Sequence, residues 1–422
     1  MATGARRGKA LGRQRKAGRQ QKGGRQRQAR TQGQASGRRQ AASQRDQRKA
    51  NGHARRGKGP VRYAVVGLGY ISQVAVLPAF RNARQNSTLA ALVSSDAKKL
   101  KVLGRRYGVD TICSYDDYDD LLQSGKIDAV YIATPNSLHK DFTIRAAEAG
   151  IHVLCEKPLA DTPEACREMI EACEQNNVRL MTAYRLHFER ANLEIAEIAR
   201  SGRLGELRYF NSSFSQQVAA GNVRLKEDLG GGPVEDMGIY CINAARSLFA
   251  AEPLEVIASA VSPRDARFRE VPETVTAIMK FPKDRTASFT CSFGAADRSQ
   301  FEIVGTKGSI VGDPIYELAE GLAYTVRIGE KTRRKEFKKS DQFAPELLYF
   351  SDCVLEGKDP QPDGEEGLAD VRVIKAIMQS VESGRWVQLD LPQKRRRPEL
   401  RREIRRPGIQ PPPMVNATSP SG

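Results

Sequence analysis

The chain has few histidines, four in 422 residues, a single tryptophan, and no pair of cysteines spaced as CxxC. Zinc sites are usually assembled from such groups, so no metal centre is expected. Seven cysteines, an odd number without paired spacing, fit a reduced cytoplasmic protein better than a disulfide framework. No stretch approaches the roughly 18 uninterrupted apolar residues of a membrane span. Behind the basic start there is also no apolar core of about 7–15 residues, as a secretory signal requires. Without secretion, the glycosylation sequons at Asn211-Ser212-Ser213 and Asn416-Ala417-Thr418 carry no weight.

Acidic residues are scarce at both ends. Residues 1–60 hold 19 Lys or Arg against one acid, Asp46, and residues 392–422 hold 8 bases against 2 acids. The intervening body, 61–391, carries 41 bases and 47 acids, so the high isoelectric point belongs to the ends. Residues 1–60, rich in Gln, Arg and Gly without an aromatic, are too polar to offset the entropy of ordering and read as a disordered basic tail. Such charge would attract nucleic acid or another polyanion in a salt-dependent way. The plain alternatives are a solvated tail or a start codon set too far upstream.

From Pro60 the pattern changes. Val61-Arg62-Tyr63-Ala64-Val65-Val66 reads as a strand, Gly67-Leu68-Gly69-Tyr70-Ile71-Ser72 as a glycine turn, and Gln73 to Arg81 as a helix that Pro78 shortens or interrupts. Gly67 permits the tight turn, Gly69 lets a pyrophosphate approach the backbone, and the helix start offers free N–H groups. Ser72 stands where a third glycine is usual. Further strands follow at 89–93, 128–133 and 151–155, separated by helices at 96–107, 138–149 and 162–176. Alternation of this kind predicts a doubly wound parallel sheet with ligands beyond the strands' carboxyl ends. Thr134-Pro135-Asn136-Ser137 and Glu156-Lys157-Pro158 both fall there, which sends Lys157 into the cofactor crevice.

The end of the second strand selects the cofactor. An NAD enzyme usually has an acid there for the ribose hydroxyls. Here Ser94-Ser95-Asp96-Ala97-Lys98-Lys99 follows Val93. Asp96 comes late and could cap the next helix, Ser94 could donate to a 2′-phosphate, and Lys98 or Lys99 could neutralise it. NADP is favoured over NAD.

Five motifs in order, AVVGLGYIS, IDAVYIATPNSLH, CEKPLA, MTAYRLHF and GGGPVEDMGIYCINAAR, resemble the glucose-fructose oxidoreductase and inositol dehydrogenase family over roughly 61–391. LVSSDAKK and GEEGLADVR add similarity to the glucose-fructose branch. The resemblance implies an N-terminal Rossmann domain, set at 61–183, and a C-terminal α+β domain, 184–391, with a large, mostly antiparallel sheet whose open face covers the active site and supports a dimer or tetramer. Beyond it lies a basic, Pro-rich tail, 392–422. The branch is exported, whereas no export signal is legible here. Alternating runs at 207–210, 274–281, 286–293 and 301–304 independently suggest sheet strands. Gly230-Gly231-Gly232-Pro233 then precedes a helix from Val234, on which Asp236 and Tyr240 share a face. The last helix, 367–383, is expected to pack back on the first domain.

Oxidising a sugar hydroxyl requires a base. Tyr240 is the candidate, yet an unperturbed phenol, with a pKa of about 10, is a poor base near neutrality. Lys157 would lower that value and hydrogen-bond the developing alkoxide, and Asp236 would hold lysine or sugar. Many family members carry histidine in place of Tyr240; tyrosine matches the glucose-fructose branch. By the same resemblance Thr134, Asn136 and His139 line nicotinamide and ribose, Glu156 orients Lys157, and Arg185 and His187 reach cofactor or sugar. Arg224 contacts substrate, although Val223 stands where the branch has tryptophan. His152, in an apolar strand, reads as a core histidine. The leading function is an NADP(H)-dependent oxidoreductase of a pyranose or polyol, with NAD as the less favoured cofactor. The alternatives are hydride exchange between two sugars on a retained cofactor, and a non-catalytic nucleotide sensor tethered by its basic tail.

Overall fold

A computed structural model describes residues 59–393 and 396–422. The expected basic tail at 1–60 therefore falls almost wholly outside the described residues. A first sheet of six parallel strands has the order β3-β2-β1-β4-β5-β6, formed by β1 (Val61–Val66), β2 (Ser87–Val93), β3 (Thr111–Cys113), β4 (Ala129–Ile132), β5 (His152–Glu156) and β6 (Leu180–Ala183). Side chains on β1 alternate between two cores. Tyr63 and Val65 pack into one, Ala64 and Val66 into the other, as a strand buried on both faces requires.

The helices are α1 (Ala97–Tyr107), α2 (Tyr118–Gln123), α3 (His139–Glu148) and α4 (Pro163–Gln175). Asp96 caps α1 by accepting from the Lys99 N–H, and Gly108 ends it in the left-handed conformation. Thr162 caps α4 by accepting from the Ala165 N–H, with Pro163 at the first turn. Instead of a regular helix, Ser72–Val76 forms a π turn continued by one α turn, Leu77–Ala79, which contains Pro78. Two strands of this sheet have no counterpart in the periodicity reading. β3 has three residues at the sheet edge, and β6 is four buried residues too short to show a period.

A second sheet of nine strands has the order β14-β13-β12-β11-β7-β10-β9-β8-β15. Its strands are β7 (Leu207–Ser215), β8 (Glu255–Val261), β9 (Thr274–Phe281), β10 (Arg285–Ser292), β11 (Arg298–Gly305), β12 (Gly308–Gly312), β13 (Ala323–Ile328), β14 (Lys331–Glu336) and β15 (Val387–Gln388). Only β7 and β10 run parallel; every other pair is antiparallel. On β9, Val275, Ala277, Met279 and Phe281 are buried while Thr276, Ile278 and Lys280 face solvent. The buried face packs on α5 (Arg190–Arg200) and α6 (Ile239–Phe249).

Two late helices join the sheets. α7 (Ala344–Glu356) covers the first sheet through Leu347, Leu348 and Phe350, and α8 (Gly364–Ser383) contributes Leu368 and Val371 to the first domain's core and Val373 and Ile377 to the second's. Residues 396–422, set apart as a tail by composition, run along the folded body; Val415 is buried in the same core as Tyr63.

His152 accepts from the Arg179 N–H at 2.9 Å, and burial pushes its pKa down to about 4. The folded chain thus keeps it neutral where the unfolded chain takes a proton, and its contribution to stability is lost as pH falls from about 6.5 toward 4. Glu235 and Asp370, pushed up by burial to about 7 and about 6, act in the opposite sense. The histidine is therefore best read by difference. Between pH 7 and pH 5 the stability of His152→Asn relative to the parent should improve by about 2 kcal/mol, measured by urea unfolding. A constant difference would show that the imidazole is not held neutral.

Candidate active site

Loops from the first sheet converge at its carboxyl edge. Gly67 sits at φ +91°, and a Cβ there would lie 2.5 Å from the Ala133 carbonyl oxygen, so only glycine fits. At Gly69 a Cβ would meet nothing within 4 Å, leaving open space above the turn. Ser72, at the position of the missing glycine, donates to the Gly67 carbonyl at 2.5 Å and closes the turn from inside. Leu68 is in the core with Ile71 packed against it, and Tyr70 is half-buried. Further along the edge, Thr134 Oγ1 is buried without a hydrogen-bond partner. An open glycine turn at a strand end and an orphaned hydroxyl beside it fit a bound dinucleotide.

At the end of β2, Ser94 is buried and accepts from the Asp96 N–H at 3.2 Å. The Asp96 carboxylate is already engaged, one oxygen with the Lys99 N–H and the other with Asn416 Nδ2, each at 3.0 Å. Lys98 is exposed and Lys99 half-buried at the start of α1.

β5 delivers Lys157 to the far end of the crevice, where the Lys157–Pro158 peptide is cis. Lys157 Nζ donates to the Asp236 carbonyl at 2.8 Å and to Asp236 Oδ1 at 3.1 Å, and lies 4.8 Å from the centre of the Tyr240 ring. Arg224 Nε grips the other carboxylate oxygen, Asp236 Oδ2, at 2.7 Å. Burial alone would raise the Asp236 pKa, but Arg224 and Lys157 outweigh it and hold the carboxyl well below the usual range. Burial likewise works against the Lys157 charge, and Asp236, Tyr240 and Glu156 overcome it, keeping the ammonium above the ordinary lysine value. Asp236 lies in a π turn, Val234–Gly238, that runs into α6.

Tyr240 stands between two cations. The Arg185 guanidinium carbon is 5.0 Å from its ring centre and Arg185 Nε donates to its hydroxyl at 3.2 Å. The other Arg185 donors bond the Gln342 side chain and the Tyr316 carbonyl. Arg185 is thus spent on fixing Tyr240 rather than left free for a cofactor. Glu156 Oε1 accepts from the Tyr131 hydroxyl at 2.8 Å, Oε2 accepts from the Lys157 N–H at 3.3 Å, and burial pushes its carboxyl up.

The triple glycine packs where side chains cannot. A Cβ at Gly230 would come within 2.8 Å of Asn136 Cβ, and one at Gly231 within 2.4 Å of the Arg224 carbonyl. Asn136 Nδ2 donates to the Gly230 carbonyl at 2.7 Å, latching the first domain's loop to the loop before Asp236. His139, expected to line the nicotinamide, is fully buried; its ring nitrogens face the Pro158 and Thr134 carbonyls at 3.0 and 3.1 Å. It ties two loops together instead. His187 stacks on Tyr184, and its Nε2 lies 2.7 Å from Asn243 Oδ1. His187, Tyr184, Asn243 and Tyr240 line one cleft between α5 and α6.

Asn243, Gln342 and Tyr316 were absent from the sequence reading. For Asn243 a signal exists: Asp236, Tyr240, Asn243 and Arg246 recur every three or four residues in an otherwise apolar segment. Arg246 is fully buried against Glu252, Glu366 and Asp370. Gln342 and Tyr316 belong to distant segments with no such periodicity.

A Rossmann sheet that supplies a glycine turn and Lys157, joined to an α+β domain that supplies Asp236 and Tyr240, defines a dinucleotide-dependent oxidoreductase. Residues 61–184 match the oxidoreductase family with an NAD-binding Rossmann fold, and residues 192–311 match the GFO/IDH/MocA C-terminal domain. The chain belongs to this family. It is 32% identical to the D-xylose 1-dehydrogenase [NADP(+)] of Haloarcula marismortui, over 78% of this chain and 94% of that protein. The crystal structure of an aldose-aldose oxidoreductase from Caulobacter crescentus, complexed with glycerol, superposes with a TM-score of 0.75 at 37% identity, covering 78% of this chain and all of that one. A 3-ketoreductase from Actinomadura kijaniata, solved with NADP and TDP-benzene, gives 0.70 at 26% identity over 76% of this chain and 98% of its own.

Proposed function

We propose that the chain is an NADP(H)-dependent oxidoreductase moving hydride between a hydroxyl-bearing carbon of a pyranose or related polyol and the nicotinamide. The observation that carries this reading is the meeting of Lys157, from one domain, with Asp236 and Tyr240, from the other, at 3.1 and 4.8 Å. A nicotinamide dinucleotide, when bound, supplies the hydride acceptor. Gly67 to Ile71 would hold its pyrophosphate, Ser94 and Lys99 its adenosine end, and Thr134, Asn136 and Glu156 its nicotinamide half. Tyr240 takes the hydroxyl proton at its phenol oxygen, flanked by the positive charges of Lys157 and Arg185. Lys157 donates to the substrate oxygen as negative charge builds there. Asp236, clamped by Arg224, keeps the ammonium in place, and Arg224 and His187 line the sugar side. The names of the xylose dehydrogenase and the aldose-aldose oxidoreductase fit a sugar substrate. A nucleotide sensor would have no use for the Lys157–Asp236–Tyr240 arrangement.

NADP is favoured over NAD because the Asp96 carboxylate is engaged by Lys99 and Asn416, while the Ser94 hydroxyl keeps its proton for a phosphate. Replacing Ser94 and Lys99 together with alanine should raise KM for NADP about 10- to 100-fold, as for lost hydrogen bonds to a charged group, and change KM for NAD only a few-fold. Equal changes for both nucleotides would contradict this assignment.

The reading as a whole is tested by initial rates of nicotinamide reduction over aldoses, ketoses, inositols and diols, with NADP and NAD. Turnover on a sugar or polyol that prefers NADP is the expected result. No turnover, with no nucleotide freed on denaturation, would overturn it.

A homo-oligomer, dimer or tetramer, is part of the proposal. Tyr209, Val261 and Ile278 are exposed among the serines and threonines on the solvent face of the second sheet, the open face through which a second copy would pack. Among the described residues no helix is long and apolar enough to cross a membrane. All seven cysteines are free thiols, in keeping with a cytoplasmic setting. Polyanion binding by residues 1–60 also stays a proposal: their removal should lower salt-sensitive retention on heparin and leave turnover intact.

A further inference from the structure

Residues 396–422 follow a path with a direction. Arg397 enters a buried ionic cluster, its Nη2 donating to Glu252 at 2.5 Å, and Glu403 pairs with Arg190 of α5. Asn82 Nδ2 then donates to the Pro407 carbonyl at 2.9 Å, which carries the segment onto the first domain. There Arg106 Nη1 donates to the Pro413 carbonyl at 2.7 Å. Val415 pairs with the Gln73 side chain in both directions, its N–H donating to Gln73 Oε1 at 2.7 Å and its carbonyl accepting from Nε2 at 2.9 Å. The same Gln73 amide donates to the Leu68 carbonyl inside the glycine turn at 2.9 Å. Asn416 meets Asp96 at the end of β2. Four residues on, the Pro420 carbonyl accepts from the Ala219 N–H at 2.8 Å, in the second-domain loop that leads to Arg224.

The segment therefore touches the glycine turn's support, then the strand end where the adenosine ribose is read, then the opposite wall. Four residues of chain span at most about 14 Å, so residues 416–420 bridge the two walls directly.

We infer that residues 408–422 are a strap forming the outer wall of the cofactor crevice at its adenosine end, and that nucleotide enters or leaves only when the strap lifts from Gln73, Asp96 and Ala219. The inference rests on the crevice holding a nicotinamide dinucleotide. It assigns Val415, Asn416 and Pro420 to a cofactor site in which the glycine turn and β2 form only the inner wall. A cofactor confined in this way would stay bound through successive turnovers.

The test is the rate at which NADPH leaves the purified full chain. Protein loaded with NADPH is freed of excess nucleotide by gel filtration and chased with NADP, and loss of protein-bound nicotinamide fluorescence is followed. Removal of residues 409–422 should speed release at least tenfold, and Asn416→Ala should speed it severalfold. Because truncation uncovers the Val415 site and could disturb folding, a second variant works in the opposite sense. Ala219→Cys with Pro420→Cys, oxidised to a cross-link, should slow release at least tenfold and regain the parent rate on reduction. Equal rates in the parent, truncated and cross-linked proteins would overturn the strap. Failure of every folded form to bind NADPH or NADH would instead remove the cofactor reading beneath it.

Discussion

Lys157→Ala should lower kcat/KM on a sugar substrate by roughly 10²- to 10⁴-fold, the range expected when a group aimed at developing charge and proton transfer is removed. The effect is large because, in the proposed role, one ammonium has two tasks: its Nζ would donate to substrate oxygen, and its charge lies against the Tyr240 ring. The fold should survive. Asp236 keeps Arg224 at 2.7 Å, so its carboxylate is not stranded without a counter-ion, the condition that makes broken buried pairs strongly destabilising. Steady-state kinetics, with NADPH binding and a melting curve as controls, decides the matter. A variant that turns over within tenfold of the parent would remove Lys157 from the chemistry, and one that no longer binds nucleotide would make it a cofactor ligand instead.

Tyr240→Phe is the complementary case, and a drop in kcat of about 10²-fold or more is expected from loss of the proton acceptor. The substitution deletes one oxygen and keeps the ring. Lys157 and Arg185 keep their contacts with the aromatic face, and the edge-on packing with Phe214, at 5.5 Å between centroids, persists. Stability should fall by roughly 1–3 kcal/mol, since the buried Arg185 Nε loses its acceptor. KM for sugar should move less than kcat. If KM rises and kcat holds, Tyr240 binds the sugar and another group takes the proton.

The first domain was legible because its signals are local. Val61–Val66 is apolar on both faces, Thr162-Pro163 marks a helix start in two residues, and Gly67 and Gly69 lie where a strand ends. Lys157, Asp236 and Tyr240 could be named because a strand end and a helix face project them in a fixed direction. His139 could not be placed, since its partners are carbonyls of Thr134 and Pro158 that no side-chain pattern reveals. Arg185 has the same difficulty: its donors end on residues 316 and 342, far along the chain. Residues 396–422 are the largest case. Their basic and Pro-rich composition has the character of a solvated tail, yet side chains such as Arg397, Glu403 and Asn416 pair with the folded body, and the backbone carbonyls of Pro407, Pro413, Val415 and Pro420 accept from it as well. Proline suits this use: it has no N–H to satisfy, and its fixed φ lowers the cost of holding an extended path.

The strap also has a place in the order of synthesis. Both crevice walls, the glycine turn at 67–69 and the loop around Ala219, precede residues 408–422 in the chain, so the ribosome completes them first. Domains generally fold in that order as they emerge. While the strap is still being made, the crevice on the nascent chain is unobstructed at its adenosine end, and nucleotide can settle there freely. Once the strap reaches Gln73 and Asp96, entry to the same site would wait on its lifting. A first nucleotide would then load fastest at the birth of the molecule, and every later exchange would run at the pace of the strap's lifting.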